Sequence, residues 1–207
     1  MYIPKFYEIT DWPEIERFIR ETSLATLVSI GEEFPVATHL PLDLATSGDG
    51  VSTLSGHVAK SNPHWRLFES RPEAVAIFLS PVNHYISSSW YDHPNVPTWN
   101  YMSVQVYGRI KIVDESRLRI SLRKMTQYHE KISSRPLTQE ILETEIDKQI
   151  GGIIGFEMSI EKIEAAYKMS QNRDAGNYRR IIDELNRLDD YNAKIVAKRM
   201  SEIRKVD

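Results

Sequence analysis

The ten residues GHVAKSNPHW (56–65) gather two histidines, a lysine, an asparagine and a tryptophan around one proline. Side chains of these types hold a metal, hold an anion, or simply start a helix. For a metal, His57 and His64 stand seven positions apart across a turn, with no HxH or HExxH pattern and few carboxylates nearby, so the spacing does not favour one. For an anion, Asn62 is a good N-cap and Pro63 suits the first helical position. The spacing therefore predicts a helix whose free amides and positive dipole end lie beside Lys60 and Ser61. An ordinary cap with a solvated lysine fits the same spacing at least as well.

Two further stretches carry dense polar and aromatic chemistry. YISSSWYDHPNVPTWNY (85–101) holds two tryptophans, three tyrosines, three serines and two prolines. Flat rings with nearby hydroxyls and amides suit a planar heteroaromatic ligand. They equally suit a proline-stiffened loop covering the end of a barrel. KMSQNR (168–173) offers Lys168, Gln171, Asn172 and Arg173 to a ligand edge or a phosphate, or else forms a turn and helix cap. His39, His57 and Tyr91 are candidate proton donors. No GxSxG elbow, GxGxxG fingerprint or Walker sequence occurs, which argues against a serine hydrolase of that type and against Rossmann or P-loop nucleotide binding.

The elements that must position these residues are readable from periodicity. Trp12, Ile15, Phe18 and Ile19 recur at helical spacing after an Asp11–Glu14 capping pattern. LATLVSI (24–30) and FPVATHLPL (34–42) read as a hairpin about a turn at Gly31. A turn follows at 46–50, then a strand at 51–59 and another at 74–79. SVQVYGRIKI (103–112) alternates most cleanly, with Val104, Val106, Ile110 and Ile112 on one face. Leu118, Leu122 and Met125 mark a helix, Thr138 caps the next, 151–169 returns to strand, and the tail from Asn177 forms two helices broken near Asp189. About six strands joined by short links, with helices gathered late, indicate an antiparallel sheet: a mainly β (α+β) small barrel with peripheral helices.

Bulk composition adds limits. A chain of 207 residues suffices for one large domain, and the absence of cysteine excludes thiolate zinc sites, cysteine nucleophiles and CxxC redox chemistry. The net charge of −3 gives no global pull toward nucleic acid or an anionic membrane. No apolar run is long enough for a signal peptide or a membrane span, so a soluble cytoplasmic protein is expected. Eight basic and six acidic residues in the tail from Asn177 are too balanced for an obvious phosphate-tracking face. No readable DNA-binding element is present.

Taken together, GHVAKSNPHW, YISSSWY…VPTWNY and KMSQNR, in this order, resemble the PaiB family of bacterial FMN-binding, negative transcriptional regulator-like proteins. MYIPKFY and ATLVSI…PVATHLPL match as well, so the resemblance runs from residue 1 to about 175. It implies an FMN-binding split β-barrel over 1–175 with a helical extension at 176–207, and a homodimer with flavin at the subunit interface. It sets the strand with Thr38 and His39 beside the flavin ring and Lys60, Ser61 and Asn62 at the FMN phosphate, with His57 in the same stretch. Ser87, Ser89, Trp90, Trp99 and Asn100 match the family's aromatic motif, and Lys168, Gln171, Asn172 and Arg173 its KLSQNR-like motif. Ser88 replaces the family's usual proline and Met169 its usual leucine; neither change removes a polar group assigned to FMN. The implied role is negative regulation of sporulation and degradative-enzyme production, by direct DNA contact or indirectly. The alternatives are an FMN-dependent oxidoreductase acting on a small molecule, or a split barrel that holds haem or no cofactor.

Overall fold

The computed structural model of the chain describes residues 1–46 and 52–205. Residues 47–50 of the expected turn at 46–50, and Val51 of the expected strand, lie outside the described residues. The elements run α1 Trp12–Glu21, β1 Leu24–Ser29, β2 Val36–Pro41, β3 Asp43–Thr46, β4 Ser52–Ala59, α2 Leu67–Ser70, β5 Glu73–Leu79, β6 His84–Ile86 and β7 Thr98–Ile112. There follow α3 Glu115–His129, α4 Gln139–Gln149, β8 Ile153–Ser159, β9 Lys162–Lys168, α5 Ala175–Arg187 and α6 Tyr191–Ile203. Caps fall where short polar side chains precede apolar periodicity. Asp11, Asp114, Thr138, Asp174 and Asp190 each accept a hydrogen bond from a backbone amide three residues on.

Nine strands form among the described residues where the periodicity indicated about six. The additional ones are short. β6 has three residues, and β3 is separated from β2 only by Leu42, so a single apolar run conceals a bend between two strands. The order is β2-β1-β5-β7-β8-β4-β3, with β6 and β9 also pairing with β7. The registered pairings of β1 with β2 and β5, of β4 with β3 and β8, and of β7 with β6 and β8 are all antiparallel.

The chain divides into two compact units. The larger comprises 19–78 and 106–163. Here the two end strands of the order, β2 and β3, are consecutive in sequence, so the sheet turns back on itself at Leu42, although no ladder among the described residues closes it into a ring. Leu27, Leu42, Leu54, Phe68, Phe156 and Met158 fill this core, with the Phe68 and Phe156 rings edge to face at 5.0 Å. Leu118, Leu142, Ile146 and Ile150 make a second cluster where α3 and α4 pack. The smaller unit comprises 1–18, 79–105 and 164–207. Its core is built on Tyr167, Met169, Tyr178, Ile181, Leu185, Val196 and Met200, and the buried Tyr178 hydroxyl donates to the Met200 carbonyl at 2.7 Å. Both tail helices belong to it.

Gly56, in the middle of β4, is required by close approach. A Cβ there would meet Leu42 Cδ2 at 2.6 Å, Phe156 Cζ at 3.1 Å and the Pro41 carbonyl at 3.3 Å. Gly108 is tighter still, because its Cβ would lie 1.7 Å from the Ser159 carbonyl oxygen, a backbone atom. Gly56→Ala is expected to cost about 1–3 kcal/mol through overpacking, and Gly108→Ala more, because a strand backbone rather than a leucine tip has to move. Urea titration of both variants checks this; equal, negligible losses would refute the close-packing argument.

Candidate functional site

The larger unit assembles the first group of residues singled out in the sequence. β4 ends at Ala59, and the chain turns through Asn62, whose amide donates to the Ala59 carbonyl at 2.9 Å. Asn62 caps the following element as expected: its Oδ1 accepts from the His64 amide at 3.0 Å, and Pro63 occupies the first position. The short helix that the spacing suggested is not α-helical throughout. It is a four-residue 3-10 turn, Pro63–Arg66, running into the four-residue α2. So short an element sums few peptide dipoles, and the dipole part of the anion argument falls away.

What remains is a set of side chains on a pinned turn. The Lys60 amide donates to the Gly152 carbonyl at 2.8 Å, and the Trp65 indole donates to the Lys60 carbonyl at 3.0 Å. The Lys60 ammonium is exposed and reaches only the Gly151 carbonyl, at 3.4 Å; among the described residues no carboxylate pairs with it. Ser61 is exposed beside it. The Asn62 side-chain amide donates to Thr38 Oγ1 at 3.2 Å, which brings Thr38 of β2 into the group.

Strand alternation places His39 on the other face of β2, where its Nδ1 is 2.9 Å from Thr26 Oγ1 on the neighbouring strand. His64 is buried, at 1 % exposure against Phe68, and its Nδ1 bonds to Thr38 Oγ1 at 2.8 Å. Its Nε2 is buried without a partner. Burial pushes the pKa of His64 and of the half-buried His57 below the usual imidazole value.

The second and third groups fall in the smaller unit. Ser87 caps a 3-10 turn at Ser88–Trp90, with its hydroxyl 2.9 Å from that of Ser89. Trp90 stacks on His84, and Trp99 meets Tyr85 edge-on across the β6–β7 pair at 5.9 Å. Trp99 is 52 % exposed. Asn100 is fully buried, accepting from Ser170 Oγ at 2.9 Å and contacting Met200 Sδ at 3.4 Å. Ser170 has φ of 61°, the one non-glycine residue with positive φ among those described. Its buried bond to Asn100 holds that conformation.

The rest of KMSQNR is tied down in the same manner. The Gln171 side chain donates to the Tyr167 carbonyl and accepts from the Met169 amide at 2.7 Å. Asn172 accepts from the Tyr7 hydroxyl at 2.9 Å. Gln171 and Asn172 are thus engaged in shaping the loop, while Lys168 and Arg173 keep their charges without carboxylate partners among the described residues. The roles of Tyr7 and Ser170 were not legible in their motifs, because their partners lie 165 and 70 positions away.

Comparison with known proteins identifies the family and the fold. The family described as "Putative FMN-binding domain" matches residues 1–162. The "Protease synthase and sporulation protein PAI 2" of Bacillus subtilis is 38 % identical over 203 residues, covering 98 % of this chain and 97 % of that one. The chain belongs to the FMN-binding PaiB family. An uncharacterised Aspergillus fumigatus protein is 26 % identical over 98 % of this chain and 97 % of its own. Among solved structures, the FAD and heme binding protein from Mycobacterium smegmatis aligns with TM-score 0.58 at 15 % identity, over 82 % of this chain and 77 % of that one. The flavocytochrome of Azotobacter vinelandii gives 0.59 at 16 %, over 86 % and 78 %. These likenesses establish the split-barrel fold for this PaiB-family chain. KMSQNR lies past the end of the matched family region, at residue 162.

The imidazole environments set a pH dependence. His57 and His64 have folded pKa values below the unfolded value of 6.5, so near that pH the unfolded chain binds protons that the folded chain does not. Stability is therefore complete above about pH 6.5 and declines as pH falls toward the folded values. Thermal midpoints between pH 7.5 and 5.5 are expected to drop on acidification, and His64→Gln to flatten that slope. An unaltered slope in the variant would mean that His64 is not among the groups responsible.

Proposed function

We propose that this chain binds FMN and that Lys60 and Ser61 hold the flavin phosphate, with Thr38 and Asn62 setting their geometry. The observation that carries this reading is the Lys60 ammonium, fixed on a turn pinned by the Trp65 indole and left without a carboxylate. A lysine held that way is a point charge for phosphate, and the neighbouring hydroxyl adds a directional donor. The donor set therefore fits the group that the family description names. Bound flavin supplies reversible electron or hydride transfer. The protein's part is to grip the phosphate.

The cellular role we propose is negative regulation of degradative-enzyme and sporulation genes, supported by the name of the Bacillus subtilis relative. The tail helices favour an indirect route over direct DNA contact. Their charges are largely paired within the tail itself: Arg187 with Glu184, Lys194 with Asp189, Lys198 and Arg199 with Glu202. Pairing of that kind leaves little free cation for phosphate tracking. A homodimer with flavin at the subunit interface completes the proposal. Leu24, Ile30 and Phe34, 67 %, 57 % and 77 % exposed, give the larger unit apolar area for a second copy to cover.

Lys60→Ala is expected to weaken FMN about tenfold or more, the scale of one charge-assisted phosphate contact, while riboflavin, which lacks the phosphate, binds as before. Flavin fluorescence titration reads both. Unchanged FMN affinity would remove Lys60 from the site, and purified protein that never takes up flavin would remove the cofactor altogether.

A further inference from the structure

Within the smaller unit, the end of β9 and the loop after it place two cations where no carboxylate among the described residues neutralises them. The Arg173 guanidinium lies 5.0 Å over the Tyr91 ring, and its Nε is buried with no acceptor. The Tyr91 hydroxyl is likewise buried without a partner, in a residue only 8 % exposed. Lys168 donates to Thr98 Oγ1, and its ammonium stands 6.0 Å from the Tyr101 ring. Burial, then the nearby Arg173 charge, pushes the Lys168 pKa down. Tyr7 completes the group: its phenol pKa is raised by burial, and Arg173 is the strongest charge acting on it.

Several other arginines of this protein are instead paired with acids. Arg109, Arg117, Arg119 and Arg123 each meet a glutamate or aspartate. Arg173 and Lys168 meet none among the described residues, and their interactions are limited to rings, a hydroxyl and backbone. Two like charges brought together out of water repel, and buried donors without acceptors are costly. The fold nevertheless holds the arrangement firmly. Arg204 Nη1 donates to the carbonyls of Gln171 at 3.3 Å and Arg173 at 2.6 Å, while Gln171 and the left-handed Ser170 fix the turn between them.

We infer that Arg173, Lys168 and the Tyr91 hydroxyl form a receptor for the anionic end, carboxylate or phosphate, of a small molecule other than the flavin. A guanidinium fork matches two oxygens of one oxyanion, the ammonium supplies a second positive charge, and the phenol a third donor. The half-buried Tyr101 furnishes ring surface for the body of such a ligand. The inference rests on the flavin reading above: FMN carries a single phosphate, and Lys60 and Ser61 account for it.

The test is calorimetric titration of benzoate and of inorganic phosphate, at constant ionic strength, into FMN-loaded protein and its Arg173→Gln and Tyr91→Phe variants. At least one probe binds the unmodified protein, and the preferred probe tells carboxylate from phosphate. Its affinity falls about tenfold or more in Arg173→Gln and by a smaller factor in Tyr91→Phe, while FMN affinity stays within about twofold in both. Tyr91→Phe removes a single oxygen, so it remains decisive if Arg173→Gln folds poorly. Three results overturn the inference: no binding of either probe, probe binding indifferent to both variants, or an Arg173→Gln protein that loses affinity for FMN but not for riboflavin. The last would make the cluster the flavin's own phosphate site. If Lys60→Ala leaves FMN affinity unchanged the flavin reading fails instead, and the same titrations on flavin-free protein still judge the cluster.

Discussion

At Leu42 one apolar run becomes two strands, and β4 has to pass so near this corner that even a methyl group at position 56 would meet Leu42 Cδ2 at 2.6 Å. Much of the larger unit follows from that approach. β4 lies between β3 and β8, with Gly56 opposite Phe156, so the strand that turns the corner also carries the core. Three residues beyond Gly56 the strand ends, and the turn bearing Lys60, Ser61 and Asn62 begins. A site whose charged residue is exposed is thereby anchored to one of the best-packed parts of the unit. Its precision comes from backbone bonds to Gly152 and from the Trp65 indole.

Charge is handled in two ways in this protein. On α3 and α4, arginines are matched with acids: Arg119 bridges Glu115 and Asp147, and Arg123 holds Glu143. Exposed pairs of this kind add little stability each, but they leave no charge seeking a partner. Lys60, Lys168 and Arg173 are treated differently. Their surroundings are amides, hydroxyls and aromatic faces, which orient a cation without cancelling it.

The polar residues around these cations divide the labour. Asn62, Asn100, Gln171 and Asn172 looked like ligand contacts by type, and each makes a hydrogen bond within its own unit. The buried Ser170–Asn100 bond is the firmest of these, since it secures a left-handed serine whose backbone conformation is unfavourable for an L-residue.

The sequence by itself determined the helices and their caps, the long alternating strand, the Asn62–Pro63 start and the antiparallel class, because each depends on residues within a turn or two of one another. Family motifs read from it pointed to flavin, and the match over residues 1–162 agrees. Tertiary structure decided the rest. The bend at Leu42 and the three-residue β6 were invisible because strands that short leave no periodicity to read. The short helix after Asn62 proved to start as a 3-10 turn before one turn of α-helix, a bonding pattern that capping residues do not encode. His64 acquired its bond to Thr38 across 26 positions, and Arg173 its place over Tyr91 across 82. Whether a lysine or arginine is neutralised depends on which acids the fold brings near it, and only the folded chain shows that Lys60, Lys168 and Arg173 meet none among the described residues.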